Sequence, residues 1–405
     1  MHYIADLHIH SCFSRATSRQ MTIPDIAYWA RKKGISLIAS ADFTHPEWLL
    51  RLKKHFSSSD RTGIFSFEGV DFVLGCEVSN IFSRNKRTYR VHSLIFCPAF
   101  EDVEGINKYL SSFGRLDADG RPMLGLDIEK MAEALLRISP QSFLAFAHIW
   151  TPWYSLFGDK SGFNSLEDAF PNGVPENVLA LETGLSSDIV MNKMVSSLGG
   201  LRLFSNSDAH SPINIAREAN VFSSQIDFFG LKECLKDKQD KRFLFTIEFF
   251  PQEGKYHYDG HKQCGVCLHP RDTEREKGLC PVCGRPLTIG VLNRVWRFSD
   301  RDEEVVKSQV KGDFRYAIPL VDIISVVRGR GKNTKTVLSE YISLLNKASE
   351  LDLLLFLPME DVRSVCPDSI AGAIESVRNG NVKVFPGYDG EYGRIQICPQ
   401  SFTLF

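Results

Sequence analysis

Tyr3-Ile4-Ala5-Asp6-Leu7-His8-Ile9-His10 opens the chain as a short apolar run that ends in two histidines. Six later runs share that grammar: Ile35–Ser40, Val70–Gly75, Arg90–Phe96, Phe143–Phe146, Val178–Leu181 and Leu201–Phe204. Each has the length and the β-branched or aromatic content of a buried strand. Helical stretches separate several of them. Pro24–Lys33 begins after Thr22 with proline in its first turn and stops at Gly34, and Glu47–His55, Asp102–Ser112, Asp127–Ile138 and Asp188–Leu198 carry mixed apolar and charged faces. Alternating strands and helices predict parallel pairing, and seven such strands predict a closed α/β barrel. An open doubly wound sheet is the alternative. No glycine-rich phosphate loop follows the first strand, which argues against a dinucleotide fold.

Composition sets the outer bounds. With 405 residues, 43% apolar and 24% charged, the chain is not disordered, collagenous or a coiled coil. No stretch approaches the ~18 uninterrupted apolar residues of a membrane span. The start lacks a basic segment followed by an apolar one, so a cytoplasmic protein is expected. A net charge of −1 argues against nucleic-acid binding by bulk electrostatics but leaves room for local patches. Three parts are predicted: a barrel over 1–245, a cysteine-rich module over 246–299, and a helical or mixed region over 300–405. The last would hold helices at Tyr316–Val327, Thr336–Ser349 and Asp368–Val377.

Polar residues gather where the predicted strands end. His8 and His10 follow strand one, Asp42 and His45 strand two, and Glu77 strand three; His92 lies in strand four. His148, Glu182 and the Asp208-Ala209-His210 run follow strands five, six and seven. Strand C-termini of a β/α barrel converge on one rim, so six of the eleven histidines meet there. Histidine with carboxylate suits Zn²⁺, Mn²⁺ or Fe²⁺, and a carboxylate can bridge two ions. Glu182 is either a partner that orients a ligand histidine or a buried structural acid.

Cys264-x2-Cys267 and Cys280-x2-Cys283 supply four thiolates, the closed shell of a structural Zn²⁺. His257, His261 and His269 lie nearby as redundant donors. Arg84-Asn85-Lys86-Arg87-Thr88-Tyr89-Arg90 and Arg328-Gly329-Arg330-Gly331-Lys332-Asn333-Thr334-Lys335 concentrate cations without acids. Arg84, Arg87, Arg328 and Arg330 are therefore candidates for DNA phosphates. Trp150 and Trp153 follow His148, where an aromatic could stack an extruded base.

Asp6–His10, Glu77, His92, His148 and Asp208-Ala209-His210 resemble the polymerase-and-histidinol-phosphatase (PHP) family over about residues 1–245. The resemblance implies a distorted seven-stranded β/α barrel with a two- or three-metal phosphoesterase site (Zn, Mn or Mg). It implies that His8, His10, Glu77 and Asp208 hold one ion, and that Glu77 bridges to a second held by His92 and His148. His210 would face a third, and Glu77, Asp208 and His210 would count as catalytic. Ser14-Arg15 stands where the family carries an acid or histidine, and Ala41-Asp42-Phe43-Thr44-His45 replaces its Thr-Asp-His. Asp42 or His45 would then serve the third ion. Two divalent ions activate a water for in-line hydrolysis without a protein nucleophile.

Longer strings narrow the resemblance. Asp42-Phe43-Thr44-His45-Pro46-Glu47-Trp48, Ala147–Trp153, Glu182–Asp188, Pro286–Val291 and Pro386–Gly393, with the two cysteine pairs, make nearly the whole chain similar to the endonuclease Q family of DNA repair enzymes. The resemblance implies cleavage 5′ to uracil, hypoxanthine, xanthine or an abasic site, leaving 3′-hydroxyl and 5′-phosphate ends. It implies a C-terminal part that assists DNA binding. A monomer is expected, and recruitment by a sliding clamp stays open. The alternatives are a phosphatase for a small phosphate monoester and a non-catalytic DNA-binding protein.

Overall fold

The computed structural model describes residues 2–398. Its main sheet contains β1 (Tyr3–Asp6), β2 (Leu37–Ala39), β3 (Val70–Arg84), β4 (Arg87–Cys97), β5 (Phe143–Phe146), β6 (Val178–Glu182) and β7 (Arg202–Phe204). It continues with β8 (Ala219–Phe222), β9 (Phe243–Glu248) and β10 (Phe314–Tyr316), in the order β7-β6-β5-β4-β3-β2-β1-β8-β9-β10. All seven predicted strands are present, curled into a distorted β/α barrel.

Among the seven predicted strands, pairing departs from the all-parallel expectation at one; the added β8 is also antiparallel to both its neighbours, β1 and β9. β1, β2 and β3 pair in parallel, as do β5, β6 and β7, but β4 runs antiparallel to both neighbours. The reason is the link between β3 and β4. Asn85 and Lys86 both take positive φ, and such a two-residue turn returns the chain as a hairpin, whereas a parallel strand needs a crossover. β3 and β4 are correspondingly much longer than predicted.

Strand alternation sorts the core. Val73, Leu94, Phe96, Phe143, Ala145 and Phe204 share one cluster, into which helix Phe228–Lys236 also packs. Leu74, Ile95, Leu144 and Phe146, on the opposite face, join the larger cluster beneath the outer helices. Counting by twos along β3 and β4 puts Glu77 and His92 on the same face as Val73 and Phe96. The polar site thus stands on the smaller cluster.

The seam between β1 and the chain after β7 is closed by side chains as well as backbone. Asn206 Oδ1 accepts from the Leu7 N–H at 2.8 Å, and Asp6 accepts from the Ser207 N–H and Oγ at 3.1 and 2.6 Å. Asn220 donates to the carbonyls of Ala5 and Ser205. One backbone contact, His10 N–H to Ala209 O at 3.0 Å, completes the join.

β9 crosses the predicted boundary at 245/246, and β10 from the C-terminal region pairs with it in parallel. Pro319 starts the next helix at Leu320 instead of Tyr316, since a residue before proline is pushed out of the helical region. Helices Leu320–Arg328, Lys335–Leu345 and Asp368–Arg378 form the remaining core around Ile323, Tyr341 and Ile374. Lys33 at the end of helix Ile23–Lys33 pairs with buried Glu350 at 2.6 Å and ties this region to the barrel. Asp188–Leu198 is not one helix: an α-helical turn at Ile189–Lys193 gives way to a 3-10 turn at Ser196–Gly200. Among the described residues, no helix is long and apolar enough to cross a membrane.

Candidate metal centre

His8, His10, Glu77, His92, His148, Asp208 and His210 come together at the rim. Three overlapping groups form: His8 with His10 and Glu77, Glu77 with His92 and His148, and His10 with Asp208 and His210. Within each group the ligand atoms lie within 4.8 Å of one another. Glu77 belongs to two of them. Its Oε1 lies 2.8 Å from His92 Nδ1 and 3.2 Å from His148 Nε2, and its Oε2 lies 3.3 Å from His10 Nε2. Asp208 Oδ1 is 3.0 Å from His10 Nε2 and 3.6 Å from His8 Nε2.

The cage fits cations on a specific observation. His8 Nε2 is fully buried, 3.6 Å from Glu77 Oε1, and has no hydrogen-bond partner. Its Nδ1 faces both oxygens of Glu182, at 3.0 and 3.1 Å, which fixes a proton there and makes Nε2 the atom that would face a cation once the cation displaces its proton. Glu182 also accepts from the His148 N–H and from Asn206, so one buried carboxylate orients parts of three segments.

Charge runs with geometry. Burial works against ionised Glu77, but its electrostatic pairing with His92, Arg121 and His8 outweighs this and holds its pKa well below the usual range. Burial likewise opposes charge on His8, yet the carboxylates of Glu182, Glu77 and Asp208 raise its pKa. At His92 burial wins and lowers it to about 4. Backbone strain marks the same places. Asp42, His148 and Asp208 have φ of 25°, 32° and 46°, a left-handed conformation that costs about 1–3 kcal/mol per residue and concentrates at active sites. Gly184 lets the chain just beyond β6 pass His148, because a Cβ there would lie 2.5 Å from the His148 Cβ.

Several expected residues stand elsewhere. Asp42 lies behind His10: its Oδ1 faces His10 Nδ1 at 3.3 Å, while its Oδ2 accepts from the Ser11 N–H and from the hydroxyls of Ser11 and Ser14. It orients His10 as Glu182 orients His8. His45 belongs to none of the three groups; its ring stacks on Phe13 at 4.2 Å.

In the cysteine module the quartet with metal geometry is His261, Cys264, Cys280 and Cys283. Cys267 stands outside it, its Sγ 3.9 Å from the Pro386 carbonyl. Strand alternation explains the exchange. In the hairpin of Asp259–His261 with Val266–Leu268, His261 is paired with Val266 and Cys267 with Gly260, so their side chains leave on opposite faces. Val266 packs with Cys280 and Leu287, which puts His261 on the sulfur side. Desolvation pushes the Cys280 thiol up, but the N–H groups of Cys283 and Val282 bring it down to about 7.

The DNA-facing candidates divide. Arg84 pairs with Asp127 at 2.7 Å and donates to the carbonyls of Asp168 and Ala169, so it pins the hairpin instead of reaching out. Arg328 forms a two-pronged pair with Glu340, and Arg87 donates to the Gly162 carbonyl. Trp150 is 1% exposed, donates to Asn192 Oδ1 and packs on Phe157 and Phe298; it is core. Trp153 is 53% exposed with the Arg90 guanidinium 5.8 Å from its ring, and Arg330 is exposed. Arg121, absent from the sequence-based set, lies 2.9 Å from Glu77 Oε2. No periodicity or spacing marks it.

A curled β/α barrel that gathers histidines and carboxylates in one cage at its strand ends has the architecture of a metal-dependent hydrolase. Solved relatives carry this further. The lesion-specific endonuclease PfuEndoQ from Pyrococcus furiosus superposes with a TM-score of 0.86 and 32% identity, over 98% of this chain and 96% of that one. An endonuclease Q solved with a 27-mer duplex substrate bearing an abasic lesion at the active site superposes with a TM-score of 0.82 and 31% identity, over 98% and 97%. The chain belongs to the endonuclease Q family. Residues 319–381 match the MJ0043 C-terminal domain family. Protein MJ0043 of Methanocaldococcus jannaschii is 32% identical over 264 residues, 63% of this chain and 32% of its own length. Bacillus subtilis YqxK is 28% identical over 410 residues, 97% of this chain and 98% of its own.

Proposed function

We propose that this chain is a DNA repair endonuclease that hydrolyses the phosphodiester 5′ to a deaminated base (uracil, hypoxanthine or xanthine) or an abasic site, leaving 3′-hydroxyl and 5′-phosphate ends. One observation carries the reading: Glu77 presents its oxygens to the His92–His148 pair and to His10 at once, the arrangement of a carboxylate that bridges two cations. Similarity over nearly the full length to a lesion-specific endonuclease, and to one crystallised on an abasic duplex, directs that chemistry to damaged DNA.

His8, His10, Glu77 and Asp208 would hold one ion, Glu77, His92 and His148 a second, and His210 with His10 and Asp208 a third. Such ions supply Lewis-acid activation of water and neutralise charge on the phosphate. The chain's own part is orientation: Glu182 and Asp42 fix the ring nitrogens of His8 and His10, and Asn206 holds Glu182. Exposed Trp153 with Arg90 offers a flat, cationic platform for an unstacked nucleotide near the rim. In this reading residues 1–245 form the catalytic barrel, 246–299 a module stabilised by structural zinc, and 300–405 a domain that assists DNA binding; the enzyme works as a cytoplasmic monomer.

The test incubates the protein with Mg²⁺, Mn²⁺ or Zn²⁺ and end-labelled duplexes carrying one abasic site, deoxyuridine, deoxyinosine or deoxyxanthosine. Incision one bond 5′ to the lesion, with ends that a ligase can rejoin, is expected. Asp208→Ala abolishes incision and retains duplex binding. Hydrolysis of small phosphate monoesters with intact lesion DNA refutes the reading.

A further inference from the structure

Arg121 is held over the cage by a built support. Gly120 presses so closely on the site wall that a Cβ there would lie 2.3 Å from Asp42 Oδ2 and 2.4 Å from Ser14 Oγ. Its N–H donates to the Phe13 carbonyl at 3.0 Å, and its own carbonyl accepts from the Thr44 hydroxyl at 3.2 Å. Asp119 accepts from the N–H groups of Arg121 and Arg15 and pairs with the Arg15 side chain. On the other side the Pro122 carbonyl accepts from the Ser79 N–H at 2.9 Å. The backbone at 121 is therefore fixed to the walls of the cage on both sides.

The guanidinium is poorly used for so well supported a group. Arg84 meets a carboxylate and two carbonyls, and Arg378 meets three carbonyls, as structural arginines do. Arg121 spends only Nη1, on Glu77; among the described residues, Nε and Nη2 donate to nothing. Its side chain is partly exposed, at the mouth of the site. The one carboxylate it touches is the one whose lone pairs the cations need. Loading the cage would turn Glu77 toward the ions and release the fork, which suits phosphate geometry and carries a fixed charge.

We propose that Arg121 is a catalytic residue that donates to a non-bridging oxygen of the scissile phosphate and stabilises the charge developing there. The proposal rests on the reading of the site as a phosphodiesterase. Removing one such donor costs about 10²–10³ in kcat. The experiment compares wild type with Arg121→Ala and Arg121→Lys, each metal-loaded, on the abasic duplex. Metal affinity is read by calorimetry, and binding of inorganic phosphate to the loaded protein is read separately. Arg121→Ala is expected to lose a hundredfold or more in kcat, to bind metal at least as well as wild type, and to bind phosphate at least tenfold more weakly. Arg121→Lys restores part of the phosphate binding, and added guanidinium ion rescues part of the activity of Arg121→Ala.

Activity within about threefold of wild type overturns the proposal, as does a loss that matches weakened metal binding and is restored by excess metal; Arg121 would then be only a counter-ion of Glu77. Should Arg121→Ala fail to fold, Arg121→Gln with the same measurements decides. A wild-type protein that leaves abasic DNA intact refutes the functional reading and the proposal with it, whereas an active wild type with an unimpaired variant refutes the proposal alone.

Discussion

Replacing Glu182 with glutamine tests how the cage is oriented, because the change keeps shape and removes only charge and one acceptor. The wild-type carboxylate accepts from His8 Nδ1, from the His148 N–H at 2.8 Å and from Asn206 Nδ2 at 2.8 Å, all without solvent. A glutamine offers a single acceptor oxygen for three donors. If that oxygen stays with the His148 N–H, the new amide N–H₂ faces His8 or Asn206. His8 answers by moving its proton to Nε2, the atom that should carry the lone pair into the cage. Loss of a charge-assisted hydrogen bond is worth about 1.5–3 kcal/mol, and mutations of such supporting partners typically cost ~10–100-fold in metal affinity. The two figures agree, since each tenfold is about 1.4 kcal/mol. Calorimetric titration of Glu182→Gln with Zn²⁺ or Mn²⁺ should show weaker binding of that order, and nitrogen chemical shifts should show His8 protonated at Nε2. Metal affinity within about twofold of wild type in a folded variant refutes the orientation argument.

Two further predictions concern the module and the core. Cys267→Ala should still bind one Zn²⁺ in this module, counted by elemental analysis, whereas His261→Ala should not, because only His261 shares a face with the other three donors. Burial raises the pKa of Glu248 from 4.5 to about 8, the charge of Asp188 adds to this, and the hydrogen bond from the Thr246 hydroxyl only partly offsets it. Between those values the folded protein binds more protons than the unfolded chain, so this group's contribution to stability falls as pH rises through that window. Glu248→Gln should therefore melt a few degrees above wild type at pH 8 and lose that advantage toward pH 5, read by scanning calorimetry.

The barrel was legible because its strands are short, apolar and closed by polar residues, a pattern that reports burial directly. Tyr3–Asp6 and Phe143–Phe146 needed no tertiary knowledge. The direction of β4 was not legible: Arg90–Phe96 reads the same either way, and only the positive φ at Asn85 and Lys86 betrays the hairpin. At the rim, residue type and strand position together identified the residues of the three groups. They do not separate groups facing the cage from those behind it: the oxygens of Asp42 meet His10 and two serines here, a placement that strand position alone does not distinguish from that of Glu77. His261-x2-Cys264 has the same spacing as Cys264-x2-Cys267, and period-two alternation was the available signal for choosing between them. The pairing of Arg84 and Arg328 is not legible locally, because their acids, Asp127 and Glu340, lie outside the two basic runs.

The side-chain seam carries a consequence for how the enzyme is assembled. His8 and His10 stand on one lip of that join and Asp208 and His210 on the other, so any cation gripped by both acts as a rivet across it. Catalytic competence and mechanical closure of the barrel would then be one event.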